Sequence, residues 1–127
     1  MLFRSLSYMC DAGFGLHFLA HWVRETGHFT MAEGIRRLTS QPAQRFRIPQ
    51  RGRLQEGAPA DMLLFDPQTV GISKTMPRHD LPTGAQRMIR EPSGVHGVWV
   101  NGTLVHNGRE AIPLAHGPGH LLDRFDA

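Results

Sequence analysis

The stretch V-H-G-V-W-V-N-G-T-L-V-H, residues 95–106, decides how the rest of the chain is read. Two runs rich in β-branched and aromatic residues flank Asn101-Gly102. That pair tolerates positive φ at both central positions of a two-residue turn, and such a turn has the twist of paired strands. The stretch therefore predicts a β-hairpin over 95–107. Upstream, Met62-Leu63-Leu64-Phe65 is a short continuous apolar run between Asp61 and Asp66-Pro67, which reads as a buried strand. Gly57-Ala58-Pro59 before it is a loop. Residues 67–94 hold four prolines and little periodicity, and read as a long ordered connection. The tail H-G-P-G-H-L-L-D-R-F-D-A is loop-like, with one apolar anchor at Leu121-Leu122.

Working toward the N-terminus, the period changes. Phe14, Phe18 and Trp22, with Leu19 and Val23 beside them, form one broad stripe at helical spacing. Gly27 stands where that helix ends. Thr30 is an N-cap, and Glu33 three residues later completes the capping-box pattern T-M-A-E. The second helix runs through Ile35 and Leu38. Ser40-Gln41-Pro42 interrupts it and starts a short third helix at Pro42, because proline suits a first turn. Helices lead and strands follow, an α+β order. Three or four strand segments do not close a sandwich, so the chain reads as part of a larger body.

Composition excludes several classes. The chain has 127 residues, 40% of them apolar, enough for one modest core. Its 14 basic residues, all Arg except Lys74, face 11 acids, a net charge of +3. Basic residues thicken at Arg36, Arg37, Arg45, Arg47, Arg51 and Arg53. Such a run can touch phosphate, but only Phe46 interleaves it and no nucleic-acid motif surrounds it, so a solvated face is expected and no nucleic-acid partner. Cys10 is alone, which forbids an internal disulfide and points to a reducing compartment. The first residues lack the length and cleavage site of a signal peptide, and no apolar run is long enough for a membrane span. A soluble cytoplasmic chain without membrane contact is expected.

Several residues could carry chemistry. His17 and His21 are spaced i, i+4 and share a helix face, as zinc-binding pairs do. Phe18 stands where a metalloprotease-type helix needs Glu, so a structural or interfacial role competes with ligation. His116 and His120 form a second pair in the glycine-rich tail, with no third ligand near in sequence. Cys10 is a nucleophile or a buried thiol. Asp11 either caps the helix near Phe14 or transfers protons at a strand end. No phosphate-cradling loop, paired-carboxylate site or serine elbow accompanies them.

Five stretches carry a family resemblance: H-W-V-R-E at 21–25, G-I-R-R-L-T-S-Q-P-A at 34–43, R-G-R-L-Q-E-G-A-P-A-D-M-L-L-F-D at 51–66, H-D-L-P-T-G-A at 79–85 and G-V-W-V-N-G-T-L-V at 97–105. In order and content they resemble the C-terminal part of the amidohydrolase superfamily, in its N-acyl-D-amino-acid deacylase (D-aminoacylase) branch. The resemblance implies an α+β fragment: residues 1–50 as the last loop and outer helices of a (β/α)8 barrel, and 51–127 as the C-terminal strands of a small β-sandwich. It implies a zinc-dependent parent that hydrolyses an N-acyl-D-amino acid through a metal-activated water. The family's H-x-H pair and middle-strand ligands have no counterpart here, so no zinc or other cofactor is expected in this chain.

The string C-D-A-G at 10–13 resembles the family's last-strand motif S-D-[AG]-G-A-H, but Phe14-Gly15-Leu16-His17 follows in place of A-H. Asp11 also lies 11 positions before Trp22, closer than that motif stands to its helix. Asp11 matches better a second, less fixed Asp of the same loop, on the rim of the site. The catalytic aspartate is then expected upstream of Met1, and the chain alone is expected to be inactive. Its partner is then the missing N-terminal barrel. The alternative is a non-catalytic binding or oligomerising module that forms a homo-oligomer through strand edges and the helix stripe, burying Phe14, Phe18, Trp22 and Trp99.

Overall fold

The structure, a computed structural model, describes residues 13–123. Among these residues it is a small α+β arrangement in which three helices precede seven short antiparallel strands. The first helix, α1, is α-helical over Phe14–His17 and π-helical over Phe18–Glu25. The wide turn is visible where Thr26 N donates to His21 O at 2.9 Å, five residues back. The apolar stripe expected from the sequence is buried only in part. Leu19, Ala20 and Val23 are buried, whereas Phe14 is 65% and Trp22 41% exposed. Phe18 turns inward and its ring meets Phe29 at 5.4 Å.

Helix α2, Met31–Leu38, starts as the sequence predicts, with Thr30 Oγ1 accepting from Glu33 N at 3.2 Å. The other half of the capping box does not form, because the Glu33 carboxylate takes Arg36 at 2.7 Å and Arg37 at 2.8 Å. Helix α3, Ser40–Arg45, begins two residues earlier than Pro42. Gly34 lets α2 lie tightly on α1, since a Cβ there would sit 2.7 Å from Val23 Cγ2.

The strands are β1 (Met62–Phe65), β2 (Gly71–Ile72), β3 (Met76–Arg78), β4 (Arg87–Ile89), β5 (Pro92–Ser93), β6 (Val95–Val100) and β7 (Thr103–His106). One sheet has the order β1-β6-β7, with Met62 opposite Trp99 and Val100 opposite Thr103. The β6–β7 turn places Asn101 at φ 47° and Gly102 at φ 79°, both left-handed, as a mirror-image hairpin turn requires. The stretch 67–94 differs from the expected irregular connection. It folds back on itself as β2 with β5 and β3 with β4, closed by a 3-10 turn at Pro82–Gly84. Pro77 and Pro92 are tolerated because a strand with one neighbour needs only half of its ladder donors. Arg87 grips Asp80 with two 2.6 Å hydrogen bonds across this arm.

The core lies where α1 meets the segment entering β2. Leu19, Val23 and Val70 are buried there, with Leu16, Met31, Leu38 and Phe65 packed around them. The sheet carries less of the core than the sequence suggested. Leu63 is 45% and Leu64 55% exposed, and successive strand residues point to opposite faces, so β1 is open on both. The expected buried strand is therefore half-solvated. Leu121 is 89% exposed and does not anchor the tail. No helix among the described residues is long and apolar enough to cross a membrane.

Candidate functional site

The π-helical part of α1 gathers the polar residues that the sequence singled out. His17 and His21 do share a face, and their rings stack at 5.4 Å with 13° between planes. His21 Nδ1 lies 3.0 Å from Glu25 Oε2, one helical step further on. That hydrogen bond from His21, together with the nearby Arg24 guanidinium, holds the Glu25 carboxyl below the ordinary carboxylate range. Trp22 stands edge-on to His21 at 5.2 Å and to His28 at 5.4 Å. His28 in turn lies 2.6 Å from Thr26 Oγ1. Each polar group on this face thus has a local partner, and Glu25 was the member the sequence reading missed. Its spacing of four from His21 was the available clue.

This face offers two imidazoles and one carboxylate already engaged with one of them. Among the described residues no three His, Cys, Asp or Glu side chains come together in a way that could hold a metal ion. The donor set of a zinc site, four tetrahedral ligands or three with an open position, is not assembled by them. His116 and His120 lie in the coil after β7 and are exposed. Asp11 and Cys10 lie outside the described residues.

A second polar cluster ties the parts of the fold together. Arg51 Nε lies 3.0 Å from Asp61 Oδ2, and its Nη2 donates to Asn101 Oδ1 at 3.4 Å. Asn101 N donates to Asp61 Oδ1 at 2.8 Å, and Asn101 Nδ2 donates to Pro118 O at 2.6 Å. The loop after α3, the start of β1, the hairpin turn and the tail thus meet at one asparagine. Asp66 closes a turn by accepting from Gln68 N and Thr69 Oγ1, both at 2.8 Å, and those bonds lower its carboxyl from the ordinary value.

The profile of the Amidohydrolase family matches residues 7–106. Three relatives come from Alcaligenes xylosoxydans xylosoxydans. A D-aminoacylase is 36% identical over 87 residues, 68% of this chain and 16% of its own length. An N-acyl-D-glutamate deacylase is 36% identical over 106 residues, 84% of this chain and 19% of its own. An N-acyl-D-aspartate deacylase is 32% identical over 105 residues, 83% of this chain and 19% of its own. The chain therefore spans less than a fifth of the length of these curated relatives. No solved structure matches it significantly. The matched segment runs from the residues before α1 to the last residue of β7, so the helical layer, the β arm and the hairpin all fall within it, and the chain belongs to the amidohydrolase family, in its D-aminoacylase branch.

Proposed function

We propose that this chain serves the hydrolysis of the amide bond of an N-acyl-D-amino acid, and does so as part of a longer amidohydrolase. The observation that carries this reading is the family match over 7–106, with relatives named for that reaction. The uncovered apolar faces at Leu63 and Leu64 support it, since a finished domain would cover them. In this reading the helices are the last on the outside of a (β/α)8 barrel, and the strands are the C-terminal share of its β-sandwich. Zinc belongs to the rest of the barrel. The described residues do not assemble its ligands, so no catalytic step is assigned to them. The lone Cys10 favours a cytoplasmic setting.

Hydrolysis of a panel of N-acetyl-D-amino acids by the purified chain, with and without added zinc, tests this. The expected result is no turnover in either condition. Zinc-dependent turnover by the chain alone would sink the reading. A second reading, a non-catalytic module that assembles with itself, rests on the 65% exposure of Phe14 and the open faces of β1.

A further inference from the structure

The arginines clustered between 36 and 53 part ways in the fold. Arg36 and Arg37 are taken up by Glu33. Arg51 is 17% exposed and pinned through Nε and Nη2 by Asp61 and Asn101, which leaves Nη1 uncommitted. Arg53 forms no hydrogen bond or ion pair among the described residues. Arg51 and Arg53 line a cleft of about 210 Å³ between α3 and the loop that follows it, together with Ser40, Gln44, Gln50 and Gln55. No acidic side chain lines this cleft. Asp61 already offsets Arg51, so the uncompensated charge is that of Arg53.

The walls of the cleft are fixed. Ile48 N donates to Ala43 O at 2.8 Å, tying the loop to α3. A Cβ at residue 52 would meet Thr39 O at 2.7 Å, so the loop backbone lies directly against the α2–α3 junction. Arg47 and Gln50 hold left-handed backbone, at φ 54° and 53°. Such conformations in non-glycine residues persist where the surroundings over-determine them, and they collect at ligand sites.

We propose that this cleft binds a small oxyanion of the phosphate class. Arg53 supplies the charge, Arg51 a guanidinium already oriented by its partners, and Ser40 with the three glutamines neutral donors on the same lining. A planar carboxylate is satisfied by one guanidinium fork. A tetrahedral oxyanion uses several donors, and six donor-bearing side chains line this cleft. This inference does not depend on the deacylase reading.

The test is a titration of the 127-residue chain with inorganic phosphate at constant low ionic strength, with chloride as the control, followed by NMR of backbone and side-chain N–H groups. Saturable shifts confined to Gln44, Gln50, Arg51, Arg53 and Gln55 are expected. Arg53→Gln, with its spectrum otherwise unchanged, should weaken binding about tenfold, and Arg53→Lys should recover part of it. Arg109→Gln, an exposed arginine elsewhere, should leave binding as it was. A parallel titration with phenyl phosphate separates the sources: tighter binding assigns the site to a phosphomonoester, weaker binding to the free ion. Shifts that do not saturate, that spread to Arg109, or that persist equally in Arg53→Gln overturn the proposal.

Discussion

Arg24 on α1 donates from Nη1 to the carbonyl of Val70 at 2.5 Å, across 46 residues of sequence. Val70 has no exposed surface and sits with Leu19 and Val23 in the core, so this bond fastens the helix to the strand arm where the apolar packing is tightest. Replacing Arg24 by Ala leaves that carbonyl without its donor, at a cost of about 1–3 kcal/mol. Urea denaturation should show the loss, with Arg24→Lys intermediate. Equal stability of wild type and Arg24→Ala would mean that the bond contributes nothing.

Gly94 holds φ 65° where the chain enters β6, and a Cβ there would run into Val70 N and lie 2.5 Å from the Thr69 carbonyl carbon. Backbone cannot move aside as a flexible side chain can. Gly94→Ala should therefore destabilise by about 2 kcal/mol or more, combining left-handed strain with a backbone clash. Gly117→Ala, with open space around it, should change stability by less than about 0.5 kcal/mol. Thermal melts of the two variants side by side make the comparison.

Glu33 is held to about 2 from an ordinary 4.5, first by its hydrogen bond to Arg36 and then by Arg37. A depressed carboxylate stabilises the fold above its unfolded value and loses that contribution as pH falls toward the folded one. Part of the stability should disappear between pH 4.5 and about 2. In Glu33→Gln that part of the acid transition should flatten. Because the pair is largely solvated, high salt should shrink the effect in the wild type. An acid profile identical in the variant would show that Glu33 carries none of it.

The open faces of β1 make a prediction about association. At increasing concentration the chain alone should sediment as larger species, because Leu63 and Leu64 present apolar surface on both sides of an edge strand. Leu63→Ser with Leu64→Ser should return it to monomer. A wild-type chain that stays monomeric throughout would count against both an assembling module and an exposed docking face.

Among the elements, those specified by neighbours in sequence were the ones legible beforehand. Asn101-Gly102 determines its own turn, because both residues accept the left-handed backbone that a mirror-image turn needs. Thr30 and Glu33 mark the start of α2 through a bond that spans three residues. The family was legible too, since its motifs are short strings in fixed order. Tertiary structure decided the rest. Within the stripe read from the sequence, the fold buries Leu19 and Val23 and leaves Phe14 and Trp22 exposed, a choice that residue spacing alone does not make. The arm between 71 and 93 escaped notice because its ladders are two and three residues long, too short to show a period. The polar site divides the same way. The pairing of His17 with His21 followed from a spacing of four. The meeting of Arg51, Asp61 and Asn101, 50 residues apart at the extremes, depends on how the sheet and helices close on one another. Local conformational preference and motif order lie in the sequence itself, whereas contacts between distant residues exist only once packing has chosen which surfaces meet.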